Sequence, residues 1–255
     1  MVQRTHRGLR RPQNEDRLGT WPELGLAVLA DGMGGHRAGE VASAMAVAAV
    51  LVHFRRAAAP DSCPDSPPPT KTPHAPLSDL LRESLEHANR QIHAASQANQ
   101  TMRGMGTTAV AMRFTGTALE IAHVGDSRVY RWRTNRLEPL TEDHSVAQEW
   151  VRKGRCPGAE PPPQARHQLT RALGIDSHVR VDVGCHQVAA GDLYLACSDG
   201  LTDMLTDADI AAQLATATTD LEHTADTLIA QANENGGLDN ISVILARAAV
   251  APSDT

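Results

Sequence analysis

The sequence contains few aromatic residues, few lysines and few cysteines. Aromatic side chains make up 3% of the 255 residues, so the core must be built mainly from Ala, Val, Leu and Ile. The two lysines, Lys71 and Lys153, lie outside the G-x-x-x-x-G-K-[ST] pattern of a phosphate-binding P-loop. The four cysteines lack the spacing of a zinc or redox site, which predicts structural or spare thiols in a reducing cytoplasm.

Charge and hydropathy exclude further classes of protein. A formal net charge of −6 argues against binding to a nucleic-acid backbone. The N-terminus lacks the apolar segment of a secretory signal peptide. The longest apolar stretch, at about residues 41–52, is too short to span a bilayer and predicts a buried helix. We therefore expect a cytoplasmic globular protein that contacts neither nucleic acid nor membrane.

Strand-like and helix-like segments share one domain that we expect to cover residues 1–255. Apolar runs bounded by Gly, Asp or Asn predict strands at residues 25–30, 107–114, 118–124, 128–133, 192–198 and 241–247. Helical periodicity covers residues 38–56, 77–99, 143–153, 206–215 and 220–235. Short connections between the middle strands predict antiparallel pairing, with helices packed on the sheets.

The stretch DGMGGHRAGE, residues 31–40, joins a predicted strand to a predicted helix. A phosphate cradle, a metal ligand and a plain turn would all suit its glycines. The dinucleotide-binding pattern G-x-G-x-x-G fails, because Arg37 stands at the third glycine position. The metal interpretation depends on where the other aspartates fall.

Aspartates recur at the ends of the predicted strands. They are Asp31, Asp126, Asp199 and Asp239. Turn chemistry explains each one alone, but four in one chain favour a shared site, because strand ends of a packed sheet meet along an edge. Two carboxylates about 4 Å apart repel by roughly 4 kcal/mol at an effective dielectric near 20, so such a cluster requires cations. Carboxylate and carbonyl oxygens select Mg²⁺ or Mn²⁺, and Gly32 would let its carbonyl approach an ion closely.

Eight segments also occur in a recognisable order. They are GLRRPQNED, DGMGGHRAGEVAS, GMGTTAV, AHVGDSRVYR, TEDHS, LTRALG, CSDGLTD and GGLDNISVIL. Together they resemble the motif series of the PP2C (PPM) family of metal-dependent Ser/Thr protein phosphatases, in its compact bacterial form. The match runs from about Gly8 to Arg247, and its specificity comes from the order of all eight motifs.

The resemblance implies an α+β fold, a four-layer αββα sandwich of two antiparallel sheets flanked by helices. It also implies a centre of two Mn²⁺ or Mg²⁺ ions and a third ion in bacterial members. The implied metal-site residues are Asp31 bridging both ions, the Gly32 carbonyl, Asp199, Asp239, Asp16 through water, and Asp126 with Asp199 at the third ion. Glu15 would assist from outside this set, and Asp203 would add a water-mediated contact.

The implied reaction is hydrolysis of phosphoserine and phosphothreonine in proteins by direct attack of a metal-bridging water. Arg11 aligns with the phosphate-binding arginine of the family. The neighbouring arginines at positions 4, 7, 10 and 17 are interpreted as a solvated basic edge. Met33 stands where some members carry a histidine proposed to protonate the leaving group, so the general acid stays unassigned, and His36 is not given that role.

The sequence and the resemblance also give expectations for two loop segments and for the partners of the protein. The Pro-rich stretch 57–76 predicts a flexible loop, and residues 145–167 correspond to the variable flap of the family. We expect a monomer that acts on phosphorylated proteins and opposes a bacterial Ser/Thr kinase. The alternatives are a phosphatase for other phosphomonoesters and a pseudoenzyme that binds phosphoproteins. The presence of the five metal-site aspartates argues against the pseudoenzyme.

Overall fold

Two antiparallel sheets stack face to face in a computed structural model that describes residues 1–34, 37–58, 77–154, 165, 167–217 and 220–248. One sheet has the strand order β1-β11-β10-β7-β8, and the other has the order β2-β3-β5-β6-β9, with the short β4 paired to β3. The strands are β1 (Val2–His6), β2 (Asp16–Trp21), β3 (Leu26–Met33), β4 (Gly106–Thr107), β5 (Ala109–Thr115), β6 (Ala118–Val124), β7 (Arg128–Arg133), β8 (Arg136–Pro139), β9 (Asp182–Gln187), β10 (Leu193–Cys197) and β11 (Ile241–Arg247).

Helices cover the outer face of each sheet. The helices are α1 (Arg37–Ala58), α2 (Leu77–Ala98), α3 (Val146–Arg152), α4 (Asp199–Thr202), α5 (Asp207–Thr216) and α6 (Leu221–Glu234). Helices α1 and α2 share a core with β3, β5 and β6, whereas α5 and α6 share one with β7, β10 and β11. The predicted α+β sandwich with four αββα layers is therefore confirmed.

The alternation of β3 shows how the sequence builds these layers. Leu26, Val28 and Ala30 face the α1 and α2 side, while Ala27 and Leu29 face the other sheet. Every one of these residues is fully buried, because side chains alternate across a strand and β3 is covered on both faces. Buried on both sides, the strand holds Asp31 near its end in a fixed position.

Helix α1 is longer than the sequence pattern predicted. Its window Ala38–Ala57 is long and apolar enough, by length and composition, to cross a membrane, which corrects the estimate from residues 41–52. Half of that window is buried inside the protein, and its small residues pack against β3 and α2. The helix is thus built as a core helix, as the sequence predicted.

Helix ends follow side-chain caps. Ser145 caps α3 and delays its start to Val146, after the predicted residue 143. Thr206 and Asp209 form a capping box at the start of α5, and Asp220 caps α6. The last two residues of α1 fall in the predicted 57–76 loop, and residues 59–76 lie outside the described residues. In the 145–167 segment the structure describes α3, Lys153, Gly154, Ala165 and His167.

Candidate metal centre

Four of the five predicted metal-site aspartates line one cavity, and Asp16 is not among its wall residues. The cavity has a volume of about 930 Å³, and its walls include Asp31, Asp126, Asp199 and Asp239 together with Arg11. These residues come from both sheets: Asp31 lies near the end of β3, Asp126 follows β6, Asp199 follows β10 and Asp239 precedes β11. The sandwich therefore brings together, at one edge, the strand ends that the sequence singled out.

Asp16 and Asp31 lie opposite each other on neighbouring strands. They are partners in the antiparallel register of β2 and β3. The backbone of Asp31 is fixed from the other side, since its N–H donates to Thr108 Oγ at 3.1 Å and its carbonyl accepts from Thr108 N at 2.8 Å. Asp16 Oδ2 accepts from Ser198 Oγ at 2.9 Å. That hydrogen bond ties the start of β2 to the residue before Asp199, on the other sheet.

Two carboxylate oxygens in this cluster have no hydrogen-bond donor. Among the described residues, Oδ1 of Asp16 and Oδ1 of Asp199 are buried and accept no hydrogen bond. A buried carboxylate oxygen without a donor is costly, because its hydration is lost and nothing replaces it. A hard cation would supply the missing partner, so the residues present fit a divalent metal.

The pKa values of these carboxyl groups report the same shortage of positive charge. Burial raises the pKa of Asp31 and Asp199 well above the ordinary value, and repulsion from the neighbouring aspartates raises both further. Burial also raises the pKa of Asp16 to about 6, despite hydrogen bonds from serine hydroxyl groups. The cluster resists ionisation unless a cation compensates it.

Arg11 is the cationic side chain at the rim. Its Nη2 donates to Oδ2 of Asp239 at 2.5 Å, and its guanidinium is half exposed to the cavity. Asp239 is therefore charge-compensated by an arginine, unlike Asp16 and Asp199. A guanidinium in this place can bind a phosphoryl group, because its planar fork matches two phosphate oxygens.

Asn240 holds the loop that carries Arg11. Its buried side chain accepts from Glu15 N at 2.8 Å and donates to the carbonyls of Arg7 at 2.9 Å and Gln13 at 2.8 Å. One side chain next to Asp239 thus fixes both ends of the loop between β1 and β2. Sequence reasoning did not single out Asn240, because its partners lie more than 220 positions away.

Gly32 has a packing role that the sequence did not suggest. A Cβ there would collide with the backbone of Gly39 in α1 and would lie 2.7 Å from the Glu15 carbonyl. Its N–H donates to that same carbonyl at 3.2 Å. The missing side chain lets α1 approach the strand end, and Gly32 also lines the cavity as predicted.

A second pocket, of about 270 Å³, adjoins the first and is lined by Asp126, Asp199, Asp203 and His167. Burial raises the pKa of Asp126 to about 6, and repulsion from Asp143 adds to the rise. His167 Nδ1 lies 3.5 Å from Asp203 Oδ2, and His167, Asp199 and Asp203 offer ligand atoms within 4.8 Å of one another. Sequence reasoning named Asp203 but missed His167, an isolated histidine at the end of a Pro-rich segment.

Comparison with known proteins places the chain in a family. The family model described as Protein phosphatase 2C matches residues 3–235. The chain belongs to the protein phosphatase 2C family. Its sequence is 36% identical over 246 residues to the serine/threonine phosphatase stp of Listeria welshimeri, covering 95% of this chain and 93% of that protein.

Solved structures with the protein phosphatase 2C fold agree. The crystal structure of the Mycobacterium tuberculosis serine/threonine phosphatase PstP/Ppp has a TM-score of 0.83, 33% identity and 98% coverage of each chain. The catalytic domain of PstP in complex with two manganese ions has a TM-score of 0.81 and 34% identity, with 98% of this chain and 97% of that chain covered. This protein phosphatase 2C is accordingly a metal-dependent Ser/Thr protein phosphatase, which confirms the family and activity predicted from the motif series.

Proposed function

We propose that two Mn²⁺ or Mg²⁺ ions bind this phosphatase through Asp31, the Gly32 carbonyl, Asp199 and Asp239, with Asp16 acting through water. The observation that carries this assignment is the pair of buried, donor-free carboxylate oxygens at Asp16 and Asp199, beside Asp31. All-oxygen ligands favour these hard ions over zinc. Manganese in a PstP structure supports the same chemistry for this chain.

Bound ions would lower the pKa of a coordinated water far below that of bulk water, toward about 7. Arg11 binds and orients the phosphoryl group and offsets the charge that develops on its oxygens. Its hydrogen bond to Asp239 keeps the guanidinium at the cavity rim. Thr108 holds the backbone of Asp31 by two hydrogen bonds and so keeps its carboxylate in place.

A third ion is proposed at the adjoining pocket, held by Asp126 and Asp199. The raised pKa of Asp126 supports this placement, since the carboxyl group is buried and lies near other acids. Asp203 and His167 border the same pocket and would contribute there, Asp203 through water. The flap segment 145–167 would then influence substrate entry, because His167 belongs to it.

We also propose that the chain forms one phosphatase domain that acts as a monomer in the cytoplasm. Its substrates would be phosphorylated proteins, and it would oppose a cognate Ser/Thr kinase. The relatives named as Ser/Thr phosphatases support the substrate class. Two free cysteines among the described residues, Cys185 and Cys197, suit a reducing compartment.

Hydrolysis of p-nitrophenyl phosphate and of a phosphothreonine peptide tests the assignment. We expect turnover of the peptide with Mn²⁺ or Mg²⁺, loss of turnover with chelator, and loss in Asp199→Asn despite a native circular-dichroism spectrum. Turnover of the small ester alone would favour a phosphatase for other phosphomonoesters. A folded, metal-loaded protein without turnover would contradict the proposal and favour phosphoprotein binding.

A further inference from the structure

The five arginines of the N-terminal stretch are not equivalent. Arg4 pairs with Glu222 and Asp226, and Arg17 pairs with Glu40. Within the described residues, the side chains of Arg7 and Arg10 are exposed and form neither an ion pair nor a hydrogen bond. Two cations close in sequence to Arg11 therefore have no side-chain partner in the part of the chain that the structure describes.

Backbone contacts hold the loop that carries these two arginines beside the cavity wall. The N–H groups of Leu9 and Arg10 both donate to the Gly237 carbonyl, at 2.7 and 3.2 Å. Asn240 lines the cavity and donates through one nitrogen to the carbonyls of Arg7 and Gln13, so the backbone of Arg7 lies one hydrogen bond from the cavity wall. We call residues 7–10 with Gly237 and Leu238 the arginine lip.

The lip also exposes two large apolar side chains. Leu9 is 63% exposed and Leu238 is 55% exposed. They come from the two loops that the Gly237 hydrogen bonds join, and Gly237 packs closely enough for an added Cβ to lie 2.9 Å from Leu9 Cγ. Arginine and leucine side chains together suit a peptide, which offers both charged and apolar groups, better than a free phosphate ion.

The charge of the lip indicates which peptide fits. The protein has a formal net charge of −6 and the cavity is lined by carboxylates, whereas the lip carries two arginines and is positively charged. We propose that the arginine lip binds the part of the substrate that flanks the phosphorylated residue, and that it selects carboxylate side chains there. Arg11 takes the phosphoryl group, and Arg7 and Arg10 take the acidic flank. This inference rests on the proposed function of the cavity.

Paired phosphothreonine peptides test the lip in the full chain. Each pair differs only in three flanking residues, Asp against Asn, and separate pairs carry them before or after the phosphothreonine. The lip variant is Arg7→Gln with Arg10→Gln. The matched control is Arg4→Gln with Arg17→Gln, which changes the net charge equally but removes arginines that are already paired.

We expect wild type to hydrolyse one Asp peptide with a kcat/KM about 5-fold above that of its Asn partner, because two exposed ion pairs contribute modestly. Raising NaCl to about 0.5 M should remove the preference by screening. The lip variant should lose the preference and keep its kcat/KM for p-nitrophenyl phosphate, which is too small to reach the lip. The control should keep both.

Several results would overturn the inference. They are equal rates on Asp and Asn peptides by wild type, an undiminished preference in the lip variant, and an equal loss in the control. Failure of the proposed function would look different, since no peptide, with Asp or with Asn, would then be hydrolysed with metal.

Discussion

Strand β10 adjoins an aspartate at either end, Asp192 buried and Asp199 half-buried, and the two are held in opposite ways. Asp192, before the strand, is 2% exposed and receives hydrogen bonds from Arg133 Nε and Nη2, both at 2.6 Å, from Ala189 N at 2.8 Å and from Tyr194 Oη at 2.9 Å. Asp199, after the strand, has a buried oxygen without a donor and acidic neighbours.

The pKa values of Asp192 and Asp199 are shifted in opposite directions. Burial pushes both upward, but hydrogen bonds from Arg133 and Ala189 bring the pKa of Asp192 below its ordinary value. Repulsion from Asp126 and Asp203 adds to burial at Asp199 and holds its pKa well above. Burial of a carboxylate therefore does not reveal its role. The hydrogen-bond donors around the carboxylate determine whether the protein itself compensates its charge or whether a cation is needed.

The largest expected effect is on catalysis, where substitution of a proposed metal ligand and substitution of Asp192 should differ most. Asp31→Asn should lower kcat by about 10³-fold or more with saturating Mn²⁺, because loss of a shared metal ligand removes the charge stabilisation of the reaction. Asp192→Asn should leave kcat within about 3-fold, since the donors to its carboxylate, Arg133, Ala189 and Tyr194, are not among the residues that line the cavity. Steady-state hydrolysis of a phosphothreonine peptide measures both. A tenfold or smaller loss in Asp31→Asn would contradict the assignment.

Asp31, Asp126, Asp199 and Asp239, the aspartates proposed for the metal centre, could be singled out from the sequence because they adjoin strongly apolar strands. Strands β3, β5, β6, β7, β10 and β11 were predicted for the same reason, being buried by helices or by the other sheet. The strands that were missed, β1, β2, β8 and β9, are the four edges of the two sheets. Edge strands such as VQRTH and DVGCHQ carry polar residues on exposed positions, so their periodicity is weak.

Other features depend on contacts that no local pattern encodes. The predicted strand 107–114 is interrupted at Thr108, which leaves the ladder to bind the backbone of Asp31. The role of Asn240 requires residues from the opposite end of the chain. The packing of Gly32 against Gly39 requires α1 to be docked.

Stability should change in opposite directions at the two ends of β10. Without metal, Asp192→Asn should cost about 2–3 kcal/mol, less than for a fully buried pair because the Arg133 side chain stays one-third exposed. Asp199→Asn should gain about 1 kcal/mol by relieving repulsion. Urea denaturation with chelator measures both free energies of unfolding. Equal losses in the two variants would show that the Asp199 carboxylate is compensated without metal.

The pH dependence of the free energy of unfolding should distinguish Asp126, in the proposed metal centre, from Asp192. Its pKa in the folded, metal-free protein is about 6, above the ordinary value of 3.8. The folded state therefore holds a proton between these values that the unfolded state has lost, and stability from this group falls as pH rises through 6. The stability of wild type relative to Asp126→Asn should rise by about 1 kcal/mol between pH 7 and pH 5.

Comparing each variant with wild type separates the effect of the Asp126 pKa from that of other titrating groups. Burial lowers the pKa of His123 and His144, so these histidines destabilise the fold in acid, but they do so equally in wild type and variant. For Asp192, whose folded pKa lies below its ordinary value, the difference between wild type and Asp192→Asn should stay constant from pH 7 to pH 5. A constant difference for Asp126 as well would place its pKa near the ordinary value.

The smallest effect concerns the geometry of the paired end. Arg133 binds both oxygens of Asp192, and its Nη2 also donates to the Gln187 carbonyl at 2.9 Å. Lysine keeps the charge but lacks the planar fork, so Arg133→Lys should cost about 1 kcal/mol in the free energy of unfolding and leave hydrolysis unchanged. In the Asp192→Asn background the same substitution should cost less, because the fork has lost its carboxylate. Equal costs in both backgrounds would mean that charge alone, without bidentate geometry, holds this end of the strand.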